Sequence, residues 1–569
     1  MASLLRILSY FTSRLGTGEM ISDAIFLIGL LVVVWKPHAG DRFFRACEKA
    51  GAHLAERKSA AVVLLALAAI LSRLALLAYL PVPIPLVHDE FGHLLAGDTF
   101  AHGRLANPTH PMWLYFDTIH VNQHPAYMSK YPPGQGAVLA IGELLGHPWI
   151  GVLLSVAGMC AAILWMLQGW LPSRWALLGG ILVLARIGIS SYWINSYWGG
   201  AVPAIGGALV VGALPRIRRF ARARDALLLA AGASILANSR PYEGIILCAP
   251  VAAILLWWLC SARSPAWRIT LPRLVLPLCA FMILCGLFMG YYNRRLTGNA
   301  LLLPEALNGQ QYLRAPNFIW ERPGKLLHYA NPQFESYYNR WLFEYWAKNR
   351  VNSFRGVLKH TGTIALKFTY FFLWPELFVP LIALPWVLAD RSMRILIVLL
   401  GASFLGWFSL VWFLPHYAAA VTAPIFALVV QMIRHLRKWE FRGRPLGIGI
   451  SRVVVLFTVL LAPFHPRGGT LQPASAVLPP IAYRAQFASQ LAAMPGQHLA
   501  LVQYAPVSAS SEWVYNSADI DHAKVVWARV IPGVSLQPLL DYFRGRQVWL
   551  VEPDASPPRM SPYAGTAAQ

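Results

Sequence analysis

Apolar runs of membrane-spanning length recur along most of the chain, each bounded by short polar or proline-glycine segments. A helix needs about 20 mostly apolar residues to cross the hydrocarbon core, and only structures that satisfy their own backbone hydrogen bonds survive there. The pattern predicts a first helix over 21–35 and further crossings near 60–80, 148–170, 173–190, 199–214, 225–238, 243–261, 270–291, 363–389, 393–413, 416–434 and 446–464. The expected architecture is a polytopic α-helical membrane protein of about 11–13 spans. The first run ends in "KPHAGDR" with no small-residue cleavage site, so it reads as a retained helix rather than a signal peptide.

From about residue 467 the pattern changes. "QHLALVQY" and "RQVWLVEPD" have strand character, and "SLQPLLDYFRG" reads as a helix stopped by glycine. This divides the chain into a membrane domain, 1–466, and a small α/β domain, 467–569, joined by the linker "HPRGGTLQPAS". The membrane domain carries two long loops, 82–134 and 292–362.

Charge fixes the expected orientation. The formal charge of +23 is concentrated in short loops between apolar runs, notably 36–58, 215–225 and 434–445. The positive-inside rule places these in the cytoplasm and makes nucleic-acid binding an unnecessary explanation. Mean hydropathy of +0.50 and 57% hydrophobic residues exclude a set of ordinary soluble domains. The six cysteines lie in or beside apolar runs with no CxxC pair, which argues against structural disulfides and a cysteine metal site.

With that orientation, five polar clusters share the extracytoplasmic side: "HDEFGH" (88–93) with "SKYPPGQG" (129–136), "NSYWGG" (195–200), "NSRPYEG" (238–244), loop 292–362, and "PHY" (415–417). The segment after "HDE" has the spacing of a short surface helix, with Phe91, Leu94 and Leu95 on one face. Asp89 and Glu90 suit a helix start, where carboxylates meet the positive end of the dipole, and equally suit proton chemistry. A metal site from His88, His93, Asp98 and His102, in a loop that also holds His110, His120 and His124, is a further reading, but His88 and His93 are not an i, i+4 pair and HExxH is absent. Lys130, beside two prolines at the entry of the next apolar segment, reads by itself as a snorkelling lysine. Arg240 and Glu243, at the boundary of a short crossing, form either a buried ion pair or part of a site facing a water-filled cavity.

A "DE" in the first outer loop, a surface helix and then "KYPPG" leading into the next span resembles the GT-C class of integral-membrane glycosyltransferases, especially its aminoarabinose transferase and protein O-mannosyltransferase branches. "LPHYAAAVTAPIFAL", with Tyr417 at its mouth, and an exported tail are similar to that class as well. The resemblance implies a lipid-linked sugar donor, a catalytic base at Asp89 with Glu90 beside it, and a donor phosphate held by Lys130; we add Arg240 as a second cation. "NSYWGGAVPAIGG" departs from the class in lacking a second acid, and its Trp193, Trp198, Gly199 and Gly200 read as a sugar-stacking or close-packing surface.

The expected activity is therefore transfer of a sugar from a polyprenyl phosphate to a lipid, glycan or protein hydroxyl, by single displacement with inversion, on the periplasmic side of a bacterial inner membrane. No cofactor is expected, without excluding a divalent metal. The pocket would be lined by His88, His93, Tyr131, Tyr197, Trp198, Tyr242, Glu243, His416 and Tyr417. A flippase for an anionic lipid or sugar and a metal-dependent membrane hydrolase are the competing readings; the first predicts inverted repeats, which the sequence does not show.

Overall fold

A computed structural model describes residues 17–464, 480–505 and 512–563. The linker 465–475 lies outside the described residues. The rest is a helical membrane protein with a small α/β unit at its C-terminal end.

In the membrane part, α1 (Thr17–Trp35), α2 (Asp41–Glu56) and α3 (Lys58–Ala75) precede the first long loop, which holds α4 (His88–Ala101). Then come α5 (Pro133–Leu144), α6 (Pro148–Trp170), α7 (Ser173–Val183), α8 (Ala201–Phe220), α9 (Ala223–Ala237), α10 (Pro241–Leu259) and α11 (Leu276–Thr297). Among the described residues, six helices are long and apolar enough to cross a membrane by themselves. The other expected crossings are present as elements but are shorter or broken. Phe354–Phe372 and Glu376–Ala389 meet at 114°, and Met20–Trp35, Arg394–Ser409 and Leu446–Leu460 are short.

The break after Phe372 has a local cause. Arg186, fully buried, donates to the carbonyls of Tyr370 (2.8 Å) and Phe371 (2.9 Å) and lies 3.4 Å from the Glu376 carboxylate. A guanidinium so placed satisfies the orphan carbonyls of a helix end.

At one end of the helical body two of the basic loops, 36–58 and 434–445, meet: Glu48 receives Arg437 (2.8 Å) and Arg452 (3.1 Å), and Arg452 also binds Asp41. At the other end the five polar clusters make physical contact. The Gly134 amide donates to the Asn238 carbonyl at 2.7 Å, joining "KYPPG" to "NSRPYEG". A Cβ on Gly134 would stand 2.7 Å from that same oxygen, so the approach requires glycine. Gln135 donates to the Tyr197 carbonyl at 2.9 Å, and Asn122 donates to the Pro304 carbonyl at 3.0 Å.

In the C-terminal unit β1 (His498–Val502) lies between β2 (Val525–Arg529) and β3 (Gln547–Glu552) in parallel, and β4 (Arg559–Pro562) closes the β3 edge antiparallel. The two strands and the helix read from sequence are present, the helix being Gln537–Tyr542 with Gly545 at φ 93°. The unit sits directly on the first loop. Leu95, Tyr115 and Phe116 share a core with Leu499, Leu501 and Val526, and Phe91 packs with Phe487 and Trp513. So α4, expected along an open surface, is covered: Glu90, Phe91, His93 and Leu95 are all buried. Its apolar face meets protein where the sequence suggested lipid.

Candidate active site

The site begins at the first turn of α4. Glu90 is the third residue of the helix, and its carboxylate accepts the amides of Leu86 (2.7 Å), Val87 (3.1 Å) and, across the fold, Tyr197 (3.0 Å). Burial pushes its pKa up to about 7 against those three donors. At 2% exposure, with three amides on its oxygens, Glu90 fastens the helix start to "NSYWGG" instead of presenting a second carboxylate to solvent.

Asp89, one residue earlier, turns the other way and keeps 27% of its side chain exposed. It accepts the Tyr131 hydroxyl. Tyr131 also meets the Nδ1 of His120 at 2.9 Å, and the Nε2 of His120 lies 3.4 Å from the Tyr337 hydroxyl. His93, one helical turn past Asp89 on the same face, stacks on the Tyr131 ring at 4.4 Å. Its Nδ1 has no hydrogen-bond partner among the described residues, and burial pushes its pKa down to about 3. His88 is held at 2.8 Å by the hydroxyl of Tyr515 from the C-terminal unit.

The cations lie beside this group. The Lys130 ammonium sits 5.1 Å from the Tyr131 ring, in a cleft of about 330 Å³ shared with Pro132, Asn238, Asn293 and Glu305. Burial lowers its pKa while the charges of Glu305 and Asp89 draw it back up. Arg240 caps the N-terminus of α10, 3.9 Å from Glu243 and 4.8 Å over the Tyr417 ring. A guanidinium at a helix N-terminus, beside a lysine, is a ready place for an anionic group.

The remaining expected pocket residues divide. Tyr417 and Glu243 border a smaller cavity together with Tyr242 and Trp407. The Tyr242 hydroxyl is committed to the Gly406 carbonyl (3.2 Å) and to Ser409. His416 is 1% exposed, with its Nδ1 on the Tyr192 hydroxyl at 2.8 Å and the edge of Trp198 4.7 Å away. Tyr197, 3% exposed, donates to the Pro83 carbonyl at 2.8 Å and so supports α4 rather than lining a cavity. Trp193 is the close-packing member of its cluster, since a Cβ on Gly200 would strike its ring at 2.5 Å.

Among the described residues, the imidazole and carboxylate groups close enough to share a cation are Asp98, His102 and Glu143, farther along α4 and on α5. The His88 and His93 pair considered from sequence is not part of that group.

Four site residues escaped sequence reading. Glu305 and Tyr337 come from the second long loop, where spacing gives no register to the first. His120 carried one signal, a histidine-rich loop, but not its partner. Tyr515 comes from the C-terminal unit, and no local pattern predicts which tyrosine reaches across.

The chain is therefore a polytopic membrane protein whose acid and cation clusters meet at one end, under a small α/β unit. No family model matches the chain, and no curated protein matches it. Solved structures give weak likenesses. One is ArnT from Cupriavidus metallidurans bound to undecaprenyl phosphate, at 13% identity and TM-score 0.45, covering 86% of this chain and 92% of that one. Others are two structures of the Archaeoglobus fulgidus oligosaccharyltransferase, one tethered to an acceptor peptide and one in the apo form, each at 11% identity, with TM-scores 0.36 and 0.37. This chain covers 62% of the archaeal protein in both.

Proposed function

We propose that this protein is a glycosyltransferase of GT-C type that moves a sugar from a polyprenyl phosphate to an acceptor hydroxyl, on the side of the membrane that carries α4 and the C-terminal unit. The observation that carries the reading is one carboxylate, Asp89, bonded to Tyr131 next in the chain to Lys130, with the charges of both Asp89 and Arg240 acting on the Lys130 ammonium.

An acceptor hydroxyl becomes a competent nucleophile when a placed carboxylate takes its proton as the new bond forms. Asp89, half-buried and turned away from the amides that hold Glu90, performs that step. As the acceptor oxygen bonds to the anomeric carbon, the bond to the lipid phosphate breaks and its electron pair passes to the phosphate. Lys130 and Arg240 stabilise that growing charge more than the ground state. The unpartnered Nδ1 of His93, a ring on which the charges of Asp89, Arg240 and Lys130 all act, offers the sugar or phosphate a hydrogen bond. With Asp89 acting as base and Glu90 committed to amides, the reading is a single displacement with inversion.

The lipid tail follows the apolar outer faces of α10 and α11, where Ile245, Leu256, Ile283 and Leu287 are exposed. The test is binding of polyprenyl phosphate to the detergent-solubilised protein, measured by thermal shift. The lipid should stabilise wild type, and Lys130→Ala and Arg240→Ala should each weaken binding by about tenfold or more, the worth of a charged hydrogen bond. Equal affinity in all three proteins would remove both residues from the donor site.

A further inference from the structure

We infer that His120 is a positioning residue for Asp89, acting through Tyr131 and fixed in one tautomer by Tyr337. The inference rests on the reading of Asp89 as base and adds what holds that base in place.

The donor count sets the arrangement. The Asp89 carboxylate only accepts, so the single hydrogen of the Tyr131 hydroxyl is spent on it. The Tyr131 oxygen is then left as acceptor for His120 at 2.9 Å, which requires the hydrogen on Nδ1. The bare Nε2 in turn faces the Tyr337 hydroxyl at 3.4 Å. A direct bond is ruled out by length, because His120 Nδ1 is 3.9 Å from the nearer Asp89 oxygen. The chain therefore runs Tyr337, His120, Tyr131, Asp89, every hydrogen pointing toward the carboxylate. It pins one Asp89 oxygen and leaves the other to take the acceptor's proton.

Two further observations support a built device. His120 has φ 67°, the left-handed region that a non-glycine residue adopts at a cost. Its side chain is 11% exposed and its ring edge-on to His88, Tyr131 and Tyr337, with centroids 5.8 to 6.1 Å away, so it has little freedom to rotate. Burial, with Lys130, His88 and His93 nearby, holds the imidazole neutral, as a single-tautomer donor needs to be. The simpler role would be a loop staple, since the His120 carbonyl accepts the Lys130 amide at 3.2 Å. That role belongs to the backbone and is separable from the ring.

The full-length protein is tested with three variants at two positions. His120→Gly and His120→Asn both tolerate positive φ, but only asparagine can replace the Nδ1 donor. With a polyprenyl-phosphate sugar that wild type turns over, kcat should fall by about 10- to 100-fold in His120→Gly with KM within about twofold, as for other residues that orient a reacting group. His120→Asn should recover most of that loss, and Tyr131→Phe should lose as much as His120→Gly. Asparagine and glycine variants equal to each other, whether both active or both inactive, would overturn the positioning role.

A second readout is independent of turnover. Nitrogen-15 NMR of labelled histidine, assigned by loss of the signal in His120→Asn, should show the neutral Nδ1–H tautomer at pH 7. The Nε2–H tautomer or an imidazolium would overturn the inference. An active Asp89→Asn variant would instead sink the catalytic reading itself, whatever His120 does.

Discussion

Glu512 and Arg529 are both fully buried and bonded to each other where the C-terminal unit meets the two long loops. Arg529 also donates to Gln333 at 2.8 Å and to the Asp117 carbonyl at 3.3 Å, so one guanidinium joins the sheet to both loops. Glu512 accepts the amides of Trp513 (2.9 Å) and Val514 (2.8 Å), which sets the segment carrying Tyr515. Truncating one partner of such a pair leaves an uncompensated buried charge and costs about 3–5 kcal/mol. Glu512→Ala should therefore raise the opening of the unit by about 10²- to 10⁴-fold, one decade for each 1.36 kcal/mol. Hydrogen exchange followed by mass spectrometry reads this directly on the peptide holding Leu499–Val502, all at 0% exposure. Replacing both partners with apolar residues, Glu512→Leu with Arg529→Met, should restore most of the protection, because no charge is then stranded. An increase below tenfold in Glu512→Ala, or a double variant worse than the single, would refute the argument that this pair holds the unit in place.

Other expectations follow from the same geometry. Glu90→Gln should lower the melting temperature, since an amide nitrogen would face backbone donors that now meet an oxygen, at a cost of about 1–3 kcal/mol. The same variant should keep wild-type affinity for polyprenyl phosphate; an unchanged melting point would return Glu90 to the list of free carboxylates. Burial lowers the pKa of His88, His93 and His120, so the unfolded chain takes up protons near pH 6.5 that the folded chain refuses. Stability should consequently be full above that value and fall as pH drops from 7 to 5, and His93→Gln should flatten the fall. Glu90, whose buried carboxyl takes up its proton near pH 7, opposes the fall, so the contradicting result is a His93→Gln variant with the same pH dependence as wild type. Gly134→Ala should weaken donor binding without touching a charge, because its Cβ would push "KYPPG" off the Asn238 carbonyl. Wild-type binding in that variant would show that the approach is not needed.

Much of the site was legible because membrane topology reduces a sequence to ends. Once the basic loops were assigned to one end, Asp89, Lys130, Arg240 and Tyr417 had to lie at the other, and the structure joins their segments through Gly134, Asn238 and the Arg240–Tyr417 contact. The direction in which each side chain turns was not legible. Asp89 and Glu90 are adjacent on a helix, so about 100° separates them, and Glu90 is the one consumed by structure, by the amides of Leu86 and Val87 and by that of Tyr197, which no local pattern places there. The strands of the tail were readable from their apolar runs. Its docking on α4 was not, because a helix face that meets another domain has the same composition as one that meets lipid. For that reason α4 was expected on an open surface, and the tyrosines at 337 and 515 had no predicted role.

The most direct test of the central claim is release of polyprenyl phosphate by purified wild type and Asp89→Asn, each incubated with a panel of polyprenyl-phosphate sugars and an acceptor extract. The account predicts that wild type consumes at least one donor, with sugar appearing on an acceptor, and that Asp89→Asn, folded and still binding the lipid, is slower by about 10² or more. Release by Asp89→Asn at the wild-type rate, or a wild type that binds the lipid yet releases it from no donor in the panel, would contradict it.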